Sequence, residues 1–248
     1  MQNLAFSEAG INAVYLAFES DDIESSINGM RGLDIKGFSV TIPHKSTVIP
    51  LLDEMDPLAK DIGAVNTVVN KSGRLIGYNT DAAGAFRALT EVVHVEGKKC
   101  IIIGAGGAAR AIGYILKRNN VNVSIANRSI ERGEALGNSL DSPFITLDQL
   151  RDANADIIIN TTPVGMYPDV ENCPVPEDVL RPGMTVMDII YNPRTTKLLD
   201  IAEVKGCRTV DGLGMFIYQG AEQFTLWTDK EAPVDIMMEK VEEALYGS

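Results

Sequence analysis

The stretch Ile101-Ile102-Ile103-Gly104-Ala105-Gly106-Gly107-Ala108-Ala109-Arg110 runs from an apolar strand into the pattern G-x-G-x-x-A and then into a predicted helix. In such a loop Gly104 allows a tight turn, Gly106 lets the backbone approach a pyrophosphate, and the free amides of the helix start bind negative oxygen. A second predicted strand ends at Ala126, about 20 residues further on, as a dinucleotide-binding βαβ unit requires. The alternative is an ordinary tight turn, but the flanking strand and helix favour a dinucleotide site.

The residues after the second strand indicate which dinucleotide is preferred. Asn127-Arg128-Ser129 ends that strand, and Arg132 follows one helical turn later. An NAD site usually has an acidic residue here, which accepts hydrogen bonds from the ribose hydroxyls. Arginine instead offers donors to a 2′-phosphate, so NADP is predicted. Ser129 is also a good helix cap, and the alternative is that both arginines are solvated surface charges.

The rest of the chain alternates short β-branched runs with amphipathic stretches of helical length, which is typical of α/β architecture. The repeated strand, loop and helix of the second half predict a doubly wound sheet of about five or six strands, with strands at 100–103, 122–126, 156–160, 185–189 and 207–210. In the first region we predict strands at 13–18 and 37–42, a helix at 21–30, and an antiparallel hairpin turning at Asn70-Lys71-Ser72-Gly73. Two helices near 214–245, separated at Pro233, follow the last strand.

Composition and charge exclude several classes of protein. The 248 residues carry 22 basic and 34 acidic side chains, a net charge of −12. That balance opposes binding to nucleic acid or to anionic membranes. No segment has the apolar length of a membrane span and the first residues do not read as a secretion signal, so a cytoplasmic protein is expected. Three scattered cysteines and two histidines fit no disulfide framework or zinc site, so no metal is predicted.

Two charged residues follow strands at points where a side chain can enter a cleft. They are Lys45, in Val40-Thr41-Ile42-Pro43-His44-Lys45, and Asp81, in Gly77-Tyr78-Asn79-Thr80-Asp81. Taken singly, a loop lysine or aspartate is more often just a solvated charge. A catalytic role for Lys45 and Asp81 is therefore indicated only when the other motifs of the chain are considered with them.

In combination, several segments resemble the shikimate dehydrogenase family, in the family's order and over essentially the whole chain. They are Val40-Thr41-Ile42-Pro43-His44-Lys45, Gly63-Ala64-Val65-Asn66-Thr67, Gly77-Tyr78-Asn79-Thr80-Asp81, Gly104-Ala105-Gly106-Gly107-Ala108-Ala109-Arg110, Asn127-Arg128-Ser129, Asn160-Thr161-Thr162-Pro163-Val164-Gly165-Met166, Asp188-Ile189-Ile190-Tyr191-Asn192-Pro193, and Asp211-Gly212-Leu213-Gly214-Met215 leading to Gln219.

The resemblance implies reversible reduction of 3-dehydroshikimate to shikimate with NADPH, on the way to chorismate and the aromatic amino acids. It implies that Lys45 and Asp81 are the catalytic pair beside the reacting hydroxyl. The substrate contacts that it implies are Thr41, Asn66, Tyr191 and Gln219. The NADP contacts that it implies are Gly104, Ala105, Gly106, Gly107, Ala108, Asn127, Arg128, Ser129, Arg132, Thr161, Gly212 and Met215.

The residue types suit the chemistry that the resemblance implies. Interconverting a secondary alcohol and a ketone needs hydride transfer at carbon and proton transfer at oxygen. An ammonium group held near a carboxylate can donate, accept or stabilise that proton. Lys45 is the first choice for proton exchange, with Asp81 orienting the substrate and holding Lys45. The opposite assignment stays open, because coupled groups titrate jointly.

The same resemblance predicts the domain organisation. We expect two α/β domains: a substrate-binding domain at 1–81 with a mostly parallel sheet, and a Rossmann-type NADP domain at 82–212. Residues 213–248 would form helices that pack back on the substrate domain. The protein is expected to be a monomer or a homodimer whose partner is a small-molecule substrate.

Two positions depart from the family's pattern. Ser39 stands where the family commonly has asparagine, which keeps a polar side chain. Residues 1–6 resemble the opening of the family's first helix, so the preceding strand and its Ser-x-Ser loop, which would hold the substrate carboxylate, have no counterpart in this sequence. Impaired use of shikimate is expected from that difference.

Two other functions stay open at this point. A quinate or dual quinate/shikimate dehydrogenase would share almost every quoted segment, although Arg128 argues against a form that prefers NAD. A catalytically impaired NADP-binding module is the second alternative. The presence of Lys45, Asp81, Asn66 and Gln219 argues against it.

Overall fold

The computed structural model describes residues 1–41 and 43–247. Contacts divide the chain into two compact units: Met1–Ala83 together with the chain from Ile217 onward, and Gly84–Phe216. The helices are α1 Gln2–Glu8, α2 Ile23–Gly32, α3 Pro57–Ile62, α4 Thr80–Thr90, α5 Gly107–Arg118, α6 Ile130–Ser139, α7 Lys197–Val204, α8 Gly212–Thr228 and α9 Val234–Tyr246. The strands are β1 Gly37–Ser39, β2 Glu54–Met55, β3 Thr67–Lys71, β4 Arg74–Tyr78, β5 Lys99–Ile103, β6 Asn122–Ala126, β7 Phe144–Ile145, β8 Ile157–Asn160, β9 Thr185–Asp188 and β10 Arg208–Val210.

The sheet of the first unit is mixed, with the strand order β1-β3-β4-β2. β3 pairs antiparallel with both β1 and β4, and β2 pairs parallel with β4. This corrects the expectation of a mostly parallel sheet, because strands joined by a tight turn must run antiparallel. Val68 and Leu75 of the sheet are fully buried against Ile27 of α2 and Val48.

The antiparallel hairpin predicted to turn at Asn70-Lys71-Ser72-Gly73 is confirmed. Lys71 pairs with Arg74 across a turn formed by Ser72 and Gly73. Both turn residues have positive φ, 55° at Ser72 and 89° at Gly73. Two left-handed residues are what a two-residue hairpin turn with the natural twist requires.

The strand predicted at 13–18 is wrong, since no strand is assigned there. The backbone of Tyr15 is bonded to a side chain: its amide donates to Asn3 Oδ1 at 2.6 Å, and its carbonyl accepts from Asn3 Nδ2 at 3.0 Å. The alternating apolar side chains that predicted a strand are exposed, Phe18 by 80%. The alternation of apolar side chains at 13–18 is therefore present, but no strand among the described residues pairs with this segment. The strand predicted at 37–42 is β1 at Gly37–Ser39, and Ile42 lies outside the described residues.

The sheet of the second unit has the strand order β10-β9-β8-β5-β6-β7, and all its pairings are parallel. The predicted strands lie within one residue of the observed ones at both ends, and β7 adds a strand that the sequence did not single out. The apolar runs are buried on both faces, as in β8, because helices cover a parallel sheet on both sides. This confirms the doubly wound fold.

The last two helices are also as predicted. α8 and α9 are separated near Pro233, which stands at the N-cap of α9. In the described part of the chain, no helix has the length and apolar character to span a membrane. Residues 1–41 and 43–247 also hold no group of three or more His, Cys, Asp or Glu side chains arranged for a metal ion.

Candidate active site

Lys45 and Asp81, the predicted catalytic pair, form an ion pair in the first unit. Lys45 Nζ lies 2.6 Å from Asp81 Oδ2, and the two side chains are 31% and 16% exposed. The backbone carbonyl of Lys45 accepts a hydrogen bond from the Val65 amide at 2.8 Å, which ties its turn to the segment before β3. The ammonium group is therefore held in place and still reachable from solvent.

The start of α4 positions Asp81. Asp81 lies in the first helical turn, where the positive end of the helix favours a carboxylate. The Asn79 side chain accepts from the Ala82 amide at 3.2 Å and donates to the Ala64 carbonyl at 3.0 Å, so it caps the helix and anchors it to a neighbouring loop. The strand-to-helix turn after β4 thus fixes the carboxylate.

Asn66, a predicted substrate contact, completes the cluster. Its Nδ2 donates to Asp81 Oδ1 at 2.8 Å and to Thr80 Oγ1 at 3.0 Å. Its Oδ1 accepts from the Thr80 amide at 2.8 Å and from Thr67 Oγ1 at 2.9 Å. These partners settle which way the amide faces, since its oxygen meets donors and its nitrogen meets acceptors. Lys45, Asn66 and Asp81 are called the lysine cluster below.

Three polar residues that sequence reasoning did not assign to the site support the lysine cluster. Gln223 Nε2 donates to Thr67 Oγ1 at 3.1 Å, and Gln223 Oε1 accepts from Ser39 Oγ at 3.0 Å. Gln223 is only 5% exposed. It stands four residues after Gln219 in α8, so both side chains share one helix face. That spacing is the signal that could have identified it.

The other substrate residues predicted in the first unit are placed less closely. Thr41 is exposed, and its carbonyl accepts from the His44 amide at 2.8 Å at the start of the turn that carries Lys45. Gln219 is half-buried in α8. The structure thus brings Lys45, Asp81 and Asn66 into direct contact and leaves Thr41 outside that hydrogen-bonded cluster.

In the second unit, the glycine loop has the geometry that its sequence predicts. Gly104 has φ 115°, and a Cβ added there would collide with Thr161 Oγ1. The Thr161 hydroxyl in turn donates to the Ile103 carbonyl at 2.7 Å. Thr161, predicted to contact the cofactor, therefore packs directly under the glycine turn. Only glycine fits position 104, because both the left-handed φ and the contact exclude a side chain.

The start of α5 is open to a ligand. Gly106 is its N-cap residue and gives no side-chain cap, and the amides of the first turn have no acceptor within the helix. A Cβ added at Gly106 or at Gly107 would have no atom within 4 Å. Exposed amides at a helix start with free space before them suit a pyrophosphate, and Ala105 and Ala108 on either side are partly exposed.

The residues after β6 suit an adenosine 2′-phosphate. Ser129 Oγ accepts from the Arg132 amide at 3.4 Å and caps α6, as predicted. Asn127 Nδ2 donates to the Ser129 carbonyl at 2.9 Å, which holds the turn closed. Arg128 and Arg132 are both exposed, so their guanidinium groups can reach a phosphate. The donor set therefore fits NADP.

The remaining predicted residues of this unit lie near the start of α8. A Cβ at Gly212 would collide with the Ile189 carbonyl oxygen, so this glycine allows close backbone packing. Met215 is 9% exposed. The Tyr191 ring lies 4.9 Å from the Phe216 ring, centroid to centroid, and Tyr191 is 39% exposed. These contacts place Tyr191 and Gly212 in one packed group.

A doubly wound parallel sheet with this glycine loop in one unit and a lysine–aspartate pair in the other is typical of a nicotinamide-dinucleotide-dependent dehydrogenase. The family model for the shikimate dehydrogenase substrate binding domain matches residues 1–68. The model for shikimate / quinate 5-dehydrogenase matches residues 87–205, and that for the shikimate 5'-dehydrogenase C-terminal domain matches residues 212–242. The chain belongs to the shikimate dehydrogenase family.

Individual relatives agree with the family models. The shikimate dehydrogenase (NADP(+)) of Moorella thermoacetica is 44% identical over 262 residues, which cover 100% of this chain and 89% of the relative. A crystal structure of a shikimate dehydrogenase in complex with NADP+ has a TM-score of 0.94 at 43% identity, covering 98% of this chain and 89% of that one. The shikimate 5-dehydrogenase of Listeria monocytogenes in complex with shikimate and NAD has a TM-score of 0.93 at 39% identity, covering 97% and 90%.

Proposed function

We propose that this chain is an NADP-dependent oxidoreductase that interconverts 3-dehydroshikimate and shikimate, a step in chorismate and aromatic amino acid biosynthesis. The observation that carries the proposal is the lysine cluster, in which Lys45 Nζ, both oxygens of Asp81 and the Asn66 amide form one hydrogen-bonded group. Similar proteins support it: one relative is named shikimate dehydrogenase (NADP(+)), one similar structure holds NADP+, and another holds shikimate and NAD.

The lysine cluster provides the proton transfer. When NADPH is bound, its nicotinamide supplies the hydride that reduces the ketone carbon. The Lys45 ammonium gives its proton to the carbonyl oxygen, so that the ketone gains one hydride and one proton and becomes the alcohol. Asp81 accepts a hydrogen bond from Lys45 and keeps its ammonium group aimed at one point. In the reverse direction, neutral Lys45 takes the hydroxyl proton.

The other predicted residues orient the two ligands. Gln219 holds a substrate hydroxyl, and Asn66 holds another by exchanging one of its hydrogen bonds within the cluster for the substrate. Thr41 adds a polar contact, and Tyr191 contacts the substrate near the nicotinamide. The amides of Gly104 to Ala108 hold the pyrophosphate, and Thr161, Gly212 and Met215 shape the surrounding pocket. Asn127, Ser129 and the two arginines, Arg128 and Arg132, surround the 2′-phosphate, where each arginine adds charge-assisted hydrogen bonds.

The proposal also assigns roles to the two units and a cellular setting. Residues 1–81 bind the substrate, residues 82–212 bind NADP, and residues 213–248 pack on the substrate-binding part. The α8 residue Gln223 supports this last assignment, because it bonds to Thr67 and Ser39 of the first unit. The protein works in the cytoplasm as a monomer or a homodimer.

The test is a steady-state assay of the purified chain with each combination of shikimate or quinate and NADP+ or NAD+. The expected result is that kcat/KM is highest for shikimate with NADP+. A preference for quinate, which the name of one matching family model includes, would assign the chain to quinate oxidation instead. If neither substrate is oxidised while NADP+ binds, the chain is a binding module and the proposal fails.

A further inference from the structure

Asp188 is a fully buried carboxylate with no part in the proton transfer proposed above. It is the last residue of β9, it is 0% exposed, and it pairs in register with Asn160, the last residue of β8. Burial raises the pKa of Asp188 to about 6, while hydrogen bonds from Thr196, Ile190 and Asn160 lower it. A buried charge is costly unless it is well paired, so its surroundings indicate what it does.

Each partner of Asp188 is a donor. Asp188 Oδ1 accepts from Asn160 Nδ2 at 3.0 Å and from the Ile190 amide at 3.1 Å. Asp188 Oδ2 accepts from Thr196 Oγ1 at 2.7 Å. Three donors around one carboxylate match its ionised form, because a protonated oxygen would lose one of these bonds.

The bond to Thr196 closes a loop. Thr196 is fully buried and stands at the N-cap of α7, yet its side chain makes no cap hydrogen bond there. Its hydroxyl is used for Asp188 instead. The carboxylate therefore ties both ends of the segment 189–195, through the Ile190 amide at one end and Thr196 at the other. This segment is called the tyrosine loop, because it carries Tyr191.

Contacts of the tyrosine loop with α8 link the position of its backbone to that of the Tyr191 ring. The Ile190 carbonyl accepts from the Gly212 amide at 3.2 Å, and Gly212 leaves no space for a side chain against Ile189. The Tyr191 ring then packs on Phe216 at 4.9 Å. Because packed contacts of this kind do not stretch, a shift of the Ile190 peptide moves Tyr191.

We propose that Asp188 is a positioning residue, which sets the orientation of Tyr191 toward the substrate by holding both ends of the tyrosine loop. The inference rests on the proposed function, in which Tyr191 contacts the substrate. Asn160 connects the same carboxylate to the loop after β8: its Oδ1 accepts from the Thr162 amide at 3.0 Å and its Nδ2 donates to the Val164 carbonyl at 3.3 Å. Removing the hydrogen bond from Thr196 leaves these Asn160 contacts in place. A Thr196 variant therefore tests the tyrosine loop without changing the loop after β8.

The experiment compares Thr196→Val, which keeps the shape and removes the hydroxyl, with Thr196→Ser, which keeps the hydroxyl. The readouts are KM for shikimate, kcat, and NADP+ affinity, in the wild-type and the Tyr191→Ala background. We expect Thr196→Val to lower kcat/KM for shikimate by roughly tenfold to a hundredfold, the scale of a small misplacement of a contacting group. Thr196→Ser should restore the wild-type value, and NADP+ affinity should stay unchanged.

In the Tyr191→Ala background, Thr196→Val should have almost no further effect, because the residue through which it acts is gone. An equal loss of kcat/KM in both backgrounds would overturn the proposal. So would a loss of activity at unchanged KM that is proportional to the loss of folded protein. If Thr196→Val does not fold, Thr196→Ala replaces it in the same cycle, since it also removes the hydroxyl and leaves the other partners of Asp188 unchanged.

Hydrogen–deuterium exchange of the peptide that covers the tyrosine loop separates this proposal from the proposed function. If this peptide exchanges faster in Thr196→Val than in Thr196→Ser, the result supports the proposal that Asp188 holds the tyrosine loop, even for a chain that oxidises no shikimate. Equal exchange in the two variants overturns that proposal. Absence of shikimate turnover by the wild-type chain contradicts the proposed function alone.

Discussion

Lys45 Nζ lies 2.6 Å from Asp81 Oδ2, while the other oxygen of the same carboxylate accepts from Asn66. Asp81 thus has both oxygens engaged by donors from two different segments. The lysine side chain is the more exposed of the two, at 31% against 16%. This geometry supports the proposal that Lys45 exchanges the proton with the substrate while Asp81 orients Lys45.

Replacing Lys45 with alanine should lower kcat for shikimate oxidation by at least about a hundredfold, the usual effect of removing a positioned proton-transfer group. NADP+ affinity should barely change, because the glycine loop lies in the other unit. Lys60→Ala is the matched control, since Lys60 is an exposed lysine of the same unit. Comparable losses of turnover and of cofactor affinity would point to a structural role for Lys45. Steady-state kinetics and cofactor titration give the two values.

Arg128→Asp should remove the preference for NADP+ over NAD+. The variant loses a charge-assisted contact to the 2′-phosphate and adds repulsion, which costs on the order of 1.5–3 kcal/mol, roughly tenfold to a hundredfold in affinity. Titration of both dinucleotides against the wild type measures the ratio. Arg118→Asp makes the same charge change at an exposed position at the end of α5 and should leave the ratio as it is. Equal binding of NADP+ and NAD+ by the wild type would refute the assignment.

Two alanine substitutions in one loop should have opposite consequences. Gly106→Ala meets no atom within 4 Å, and its φ of −90° suits any residue, so the free energy of unfolding should hardly change while NADP+ affinity falls. Gly104→Ala should destabilise the fold, because φ is 115° and the added Cβ would collide with Thr161 Oγ1. Denaturant unfolding and NADP+ titration of both variants separate the two effects. Loss of stability in Gly106→Ala with intact NADP+ binding would show that the open space there is not the pyrophosphate site.

Gln223→Leu should destabilise the protein by about 1–3 kcal/mol, because it removes the hydrogen bonds that Gln223 makes to the buried Thr67 hydroxyl and to the half-buried Ser39 hydroxyl. Glu222→Leu, at the exposed neighbouring position of α8, should change the free energy of unfolding by about 0.5 kcal/mol or less. Urea unfolding of both variants makes the comparison. If Gln223→Leu lowers the free energy of unfolding no more than the control does, the hydrogen bonds of Gln223 to Thr67 and Ser39 add no stability.

Asp188 should make stability depend on pH between about 4 and about 6. Burial raises the pKa of Asp188 from its ordinary value of 3.8 to about 6. The contribution of Asp188 to stability is therefore fully present below its pKa in the unfolded chain and is lost as pH rises through its pKa in the folded chain. Relative to Asp188→Asn, the wild type should gain stability on acidification by at most about 1.4 kcal/mol per pH unit in that window.

The measurement is urea unfolding of both proteins across the same pH range. The negative charge of Asp188 also affects a second titratable group, the Cys173 thiol. Burial is the main reason that the pKa of Cys173 is raised, so the thiol stays neutral across this pH range. A stability difference between wild type and variant that is constant with pH would contradict the shifted pKa of Asp188.

The sequence by itself determined the parts of the fold that depend on neighbouring residues. The glycine loop is one, because the strand, the left-handed turn at Gly104 and the helix start are contiguous and each follows from local backbone preferences. The hairpin is another, since the turn of Ser72 and Gly73 fixes the antiparallel pairing of its strands. The parallel strands of the second unit were recognisable as buried apolar runs between helices.

Only the tertiary structure decided what depends on distant partners. The alternation at 13–18 is a strand pattern, yet a strand exists only where another strand accepts its hydrogen bonds, and the Asn3 side chain takes those of Tyr15 instead. Gln223 and Thr67 are 156 residues apart in sequence and in contact in the fold. Asp188 and Thr196 read as ordinary polar residues until the sheet buries them. Hydrogen bonds between distant segments follow from how the chain packs, and no local pattern specifies them.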